Sequence, residues 1–234
     1  MTTDVGAFRF KSKSSGTVPR RLLAVVATLL MLAMPLTPAN STKALSSAAV
    51  HIVAFGDSLV AGYGLPAGAD FAARLQKALT KAGYHVKVTN SGVSGDTTSG
   101  GLARFDWAVP DDADAVILEL GANDMLRGIS PDIARANLEK ILSKLSQRNT
   151  PVLIAGMRSL ANWGEDYARK FNGIFPALAK KYDALLYPFF LDGVVEKPAL
   201  KLDDGLHPNG KGVDEIVRRI LPRVQDLIAR AKSK

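Results

Sequence analysis

A serine hydroxyl is a weak nucleophile until a base takes its proton, and an imidazole with an ordinary pKa near ~6.5 can do so at neutral pH. Ser58 stands in Gly56-Asp57-Ser58-Leu59, directly after the apolar run Ile52-Val53-Ala54-Phe55. His207 stands in Asp204-Gly205-Leu206-His207-Pro208-Asn209, three residues after Asp204. That spacing lets the carboxylate reach one ring nitrogen and fix the tautomer while the other nitrogen faces Ser58. Attack by such a serine on an acyl carbon produces an oxyanion, which needs donors already in place. The backbone N–H groups of Gly95 and Ser58 and the side-chain amide of Asn123 are the candidates. Glycine at position 95 would permit a close backbone approach that a side chain could block.

Each of these residues also has a plainer reading. Gly56-Asp57-Ser58 could be a polar turn that caps a helix, Asn123 a helix cap, Gly95 a turn glycine and His207 a loop histidine at a helix start. Asp203 rivals Asp204, although the D-x-x-H spacing favours Asp204. Asp57 and Asp124 are expected to hold turns by hydrogen bonding.

The elements that must position these groups alternate short β-like runs with amphipathic helical ones, the pattern of a parallel sheet covered on both sides. Strands are expected at residues 52–55, 86–88, 115–120, 152–155 and 184–187, and helices at 70–82, 165–181 and 210–231. A further helix is well marked after Ser130, a capping residue, with Pro131 at its first position and Asp132 in its first turn. Leu138, Ile141, Leu142 and Leu145 then form one apolar stripe, and Asn149 and Pro151 close the helix. Ser58, Gly95 and Asn123 each lie just past the carboxyl end of an expected strand, and Asp204 and His207 lie beyond the fifth. In an open α/β sheet that edge is where ligands bind.

Composition narrows the function. The chain has 234 residues, 47% hydrophobic and 22% charged, room for one domain of ordinary globular character. Its net charge of +8 would suit nucleic acid, but +5 of it falls in residues 1–49. No basic stripe interleaved with aromatics follows, so no nucleic-acid partner is expected. That first stretch runs from a basic region ending in Arg20-Arg21 through the apolar run Leu22 to Met34, then Pro35 and small residues. It reads as a secretory leader over 1–49, followed by one domain over 50–234, exported to the periplasm or outside the cell. Arg20-Arg21 leaves a twin-arginine route open. The apolar run is shorter than the roughly 20 residues of a spanning helix, so no stable membrane insertion is expected after removal. An uncleaved amino-terminal anchor is the alternative.

Cysteine is absent, which excludes disulfides and thiolate chemistry. His51, His85 and His207 share no metal-ligand spacing, so no metal is expected. The glycines at 62, 64 and 68 miss the dinucleotide fingerprint by one position, and no phosphate-loop lysine follows them.

Taken together, Gly56-Asp57-Ser58-Leu59, Gly95, Gly121-Ala122-Asn123-Asp124 and Asp204-Gly205-Leu206-His207-Pro208-Asn209 resemble the four blocks of the SGNH (GDSL-type) hydrolase superfamily. The stretches Ser94-Gly95-Asp96-Thr97, Gly101-Leu102-Ala103-Arg104 and Pro188-Phe189-Phe190 are similar to its bacterial arylesterase, acyl-CoA thioesterase I and lysophospholipase L1 branch. The resemblance implies a three-layer αβα fold with a flavodoxin-like five-stranded parallel sheet in the order 2-1-3-4-5. It also implies hydrolysis of a small-molecule ester or thioester through an acyl-serine, without a cofactor. On that reading Ser58, Asp204 and His207 are the triad and Gly95 and Asn123 oxyanion donors. Met125, Leu126, Ile129, Leu160 and Trp163 are expected to border an acyl or aryl groove. A carbohydrate acetylesterase of the same superfamily would instead act on acetylated sugars, and an exported small-ligand binding protein would not depend on Ser58.

Overall fold

In a computed structural model, residues 48–234 are described. The expected leader lies outside them except for its last two residues. Strand β1 (Val50–Gly56) opens the domain, followed by the single-turn helix α1 (Ser58–Ala61) and by α2 (Phe71–Lys81). Next come β2 (Val86–Gly92), α3 (Thr98–Ala108), β3 (Ala115–Leu118), the short α4 (Ala122–Leu126) and α5 (Pro131–Gln147). The chain closes with β4 (Val152–Ala155), α6 (Glu165–Lys181), β5 (Leu185–Tyr187) and α7 (Gly210–Lys232).

The five strands form one parallel sheet in the order β2-β1-β3-β4-β5. Every residue of β3 and β4 is apolar and buried, as a sheet covered on both faces requires. Helix α2 packs on α7, while α3, α5 and α6 pack in succession, giving three layers. The caps predicted for α5 are present: the Ser130 side chain accepts the Asp132 N–H, and Pro131 is the first helical residue. Among the described residues no helix is long and apolar enough to cross a membrane.

Several elements differ from expectation, among them β2, β3 and α3. Strand β2 runs four residues further, through Thr89-Asn90-Ser91-Gly92, because these polar residues pair in register with Val53 to Gly56 of β1. Strand β3 stops two residues early, at Leu118, leaving Glu119 and Leu120 just past its end. Helix α3 had no clear apolar period and was not anticipated; Thr97 caps it by accepting the Gly100 N–H. The strand order reverses on either side of β1, so the crevice of this sheet opens beyond the carboxyl end of that strand.

Candidate functional site

Ser58 occupies that crevice. Strand β1 ends at Gly56, and the Asp57 carboxylate accepts the Leu59 N–H at 3.0 Å, starting α1 with Ser58 as its first residue. One turn later Gly62, at φ 80°, ends the helix and donates its N–H to the Ser58 carbonyl. Ser58 is therefore held by backbone on both sides, with the residue 9% exposed in the crevice.

His207 and Asp204 reach it from a loop well beyond β5. The loop is closed on itself, since Leu202 N–H donates to the His207 carbonyl at 2.8 Å and Asn209 N–H to that of Leu200 at 2.9 Å. The Asn209 side chain accepts the N–H groups of Lys211 and Gly212 at the start of α7 and donates to the carbonyls of Ala199 and Lys201. One asparagine thus ties the loop to the long helix.

Within the loop, Asp204 Oδ1 accepts the N–H groups of Leu206 and His207 at 2.9 and 3.0 Å, and Oδ2 lies 2.6 Å from His207 Nδ1. The two backbone donors, followed by the imidazole, hold this carboxyl down at about 2, so it is an acceptor at neutral pH. Nδ1 must then carry the proton. That leaves Nε2 as a lone pair, and it lies 2.9 Å from Ser58 Oγ. The Tyr63 ring sits against the imidazole, centroids 4.5 Å apart. Asp203 is exposed and takes no part in this chain of bonds.

Asn123 is not the helix cap that its position invited. Gly121 starts α4, and the Asn123 amide reaches back to Asp57, the residue before Ser58, instead. Its Nδ2 donates to Asp57 Oδ2 and to the Asp96 carbonyl, each at 3.0 Å. Because both partners are acceptors, the amide orientation is settled, and both hydrogens are engaged in the resting arrangement.

Gly95 has φ +83°, and its carbonyl accepts from Arg127 Nη2 at 2.8 Å. Glycine is needed for that dihedral rather than for room: an added Cβ would lie 3.6 Å from the Arg127 side chain, an ordinary contact. The residue does not border the cavity beside Ser58. It adjoins the site through Asp96, whose carbonyl meets the Asn123 amide.

Ser58, Asn123 and His207 open onto a cavity of about 320 Å³ walled by Leu59, Met125, Leu126, Met157, Leu160 and Phe189. Ile129 and Trp163, expected at its border, are not part of the wall. Trp163 packs over Gly128, with its ring tilted 33° to that of Tyr167 and the centroids 5.6 Å apart. A larger groove of about 530 Å³ between α2 and α7 holds none of the candidate residues. Among the described residues no group of three or more histidines, aspartates and glutamates is arranged to hold a metal.

Two supporting roles were not legible in the sequence. Arg104, 6% exposed, donates to the carbonyls of Gly56 and Ser91 and to Asp96 Oδ2, with its guanidinium 4.2 Å from the Phe55 ring centre. It ties together the ends of β1 and β2 and the Gly95 loop. Glu119, fully buried, accepts the Asp57 N–H at 3.2 Å. The signal for Glu119 was a lone carboxylate ending an apolar strand. Asp57 does hold its turn, whereas Asp124 instead ties α4 to the start of α3, accepting both the N–H and the hydroxyl of Thr98 across 26 positions.

Residues 54–214 match the GDSL-like lipase/acylhydrolase family. The chain is 40% identical over 167 residues to an arylesterase of Vibrio mimicus, covering 71% of this chain and 84% of that one. It is 36% identical over 184 residues to thioesterase 1/protease 1/lysophospholipase L1 of Escherichia coli strain K12, covering 78% and 87%. Among solved structures, AlinE4, an SGNH-hydrolase family esterase, superposes with a TM-score of 0.65 at 47% identity, covering 76% of this chain and 96% of that one.

Proposed function

The chain belongs to the GDSL-like lipase/acylhydrolase family, and from that premise we propose that it hydrolyses small acyl or aryl esters or thioesters through an acyl-enzyme at Ser58. The observation that carries this reading is the unbroken chain of bonds from Asp204 Oδ2 through His207 to Ser58 Oγ, at 2.6 and 2.9 Å, at one end of an apolar cavity.

In the proposed reaction Ser58 Oγ attacks the acyl carbon while His207 Nε2 takes its proton, and Asp204 stabilises the imidazolium that forms. The Asn123 amide and the Ser58 N–H meet the oxyanion, and Gly95 acts through the adjoining Asp96 carbonyl that the amide contacts. As the carbon–oxygen or carbon–sulfur bond breaks, His207 returns the proton to the leaving alcohol or thiol. A water then attacks the acyl group with the same imidazole as base, releasing the acid and restoring Ser58. The cavity volume is at the small end for ligand sites and its wall is mostly apolar, with Arg158 and Lys201 also lining it, which favours a short acyl or aryl group over a sugar. Export rests on the leader, and amino-terminal sequencing of the mature protein tests it; an intact Met1 on a membrane-bound form would make that segment an anchor.

The test is covalent labelling with an organophosphonate ester, followed by peptide mass mapping, beside a panel of p-nitrophenyl esters from acetate to palmitate and an acyl-CoA. Label on Ser58, lost together with turnover in Ser58→Ala, is expected. Turnover that persists in Ser58→Ala would overturn the mechanism, and activity confined to acetylated sugars would overturn the substrate class.

A further inference from the structure

Glu119 follows the all-apolar strand β3 and is fully buried, as is Asp57 beside it. Glu119 Oε2 accepts the Asp57 N–H at 3.2 Å, the Asp57 carboxyl neighbours that of Glu119, and Oε1 has no hydrogen-bond partner among the described residues. No ion pair with Lys, Arg or His is formed by either carboxyl among the described residues. An unpaired carboxylate in such surroundings is strongly unfavourable, and two in contact are more so, so one of the pair must hold a proton.

The contacts say which. Asp57 already meets two donors, Leu59 N–H at Oδ1 and the Asn123 amide at Oδ2, and these favour its charged form. Glu119 has a single donor, the Asp57 N–H, and is the natural seat of the proton. Burial pushes Asp57 up to about 6 and Glu119 well above the ordinary carboxylate range, with the negative Asp57 adding to the rise in Glu119. The space for this arrangement is made by Gly56, where an added Cβ would lie 2.6 Å from Glu119 Oε2.

We propose that Glu119, as a neutral acid, is a positioning residue of the oxyanion site: it clamps Asp57 from both its N–H and its carboxylate, and Asp57 holds the Asn123 amide in place. This rests on the reading of Asn123 as an oxyanion donor. Of the two bonds the amide makes, the one to the Asp57 carboxylate is charge-assisted and the stronger. That bond fixes the amide plane, and the hydrogen on the neutral Asp96 carbonyl is the one shared with an oxyanion. The proton on Glu119 also keeps the buried pair at a single negative charge where more negative charge must develop in the reaction.

Glutamine at 119 would reproduce both contacts, accepting the Asp57 N–H and donating to its carboxylate; leucine would reproduce neither. With p-nitrophenyl butyrate as substrate, Glu119→Leu should lower kcat roughly 10- to 100-fold with KM within about twofold, less than loss of the donor itself. Glu119→Gln should recover most of that rate. Added to Asn123→Ala, Glu119→Leu should lower kcat little further, because the two act through one donor. The infrared spectrum at pH 7 should carry a protonated-carboxyl band that Glu119→Gln removes. A glutamine variant as damaged as the leucine one, an additive double variant, or no such band would overturn the proposal. If Glu119→Leu does not fold, the glutamine variant and the band decide. Full kcat in Asn123→Ala would instead overturn the oxyanion reading, whatever Glu119 does.

Discussion

Replacing Asp204 by Asn changes one atom type in a site whose contacts are all assigned. Oδ1 of the native residue accepts two backbone N–H groups, which the amide oxygen of asparagine can go on accepting. The amide nitrogen is then forced to the Oδ2 position, 2.6 Å from His207 Nδ1. Two N–H groups cannot face each other there, so the ring must shift its proton to Nε2 to offer Nδ1 as an acceptor. Nε2 would then point a hydrogen at Ser58 Oγ, 2.9 Å away, and could no longer take one from it. The expected loss in kcat is on the order of 10⁴-fold, about 5 kcal/mol of barrier, as for this exchange in other triads. The thermal midpoint should scarcely move, since the loop keeps its backbone acceptor. Asp204→Ala makes the contrast. It loses those acceptors as well, and should lower stability by about 1 kcal/mol on top of the kinetic loss. Steady-state kinetics on p-nitrophenyl butyrate with melting curves for both variants suffice. The reasoning fails if Asp204→Asn keeps more than about a tenth of wild-type kcat, or if Asp203→Asn shows the loss instead.

Asn123→Ala should lower kcat roughly 10²–10³-fold with KM within about twofold, because the amide acts on charge present only in the transition state. A lowered melting point with normal kcat would make it structural. Leu126→Ala, in the cavity wall, should raise KM for the longer esters selectively. Trp163→Ala should lower the melting point and leave the chain-length profile alone, since its ring packs on Gly128 and Tyr167. Asp204 also predicts a pH dependence of stability. Its carboxyl is lowered from 3.8 to about 2 by folding, so its contribution is present above 3.8 and is lost as pH falls through about 2. The stability difference between wild type and Asp204→Ala in urea should shrink as pH falls below about 4.

Much of this molecule was legible in the sequence wherever the deciding interactions are short-ranged. The apolar runs at 52–55 and 152–155 need only their own hydrophobicity to demand burial on two faces, and both are strands. Ser130 and Pro131 start α5 through bonds made within the same turn. The pairing of Asp204 with His207 spans three residues, so spacing sufficed to prefer it to Asp203. Tertiary structure decided what depends on neighbours far along the chain. Thr89 to Gly92 carry no strand pattern, and only the open edge of β1 makes them one. The Asn123 amide was legible as a donor, but its engagement with Asp57 and Asp96 was not. Gly95 was expected to be glycine for room, and the backbone dihedral of a folded loop gives the actual reason. Glu119 was passed over because in sequence a carboxylate at a strand end is ordinarily solvated. It meets Asp57 across 62 positions, and Ser58 meets His207 across 149. Such contacts cost backbone entropy that no local segment can offset; only the shared core, with both strands and helices in place, holds those groups together.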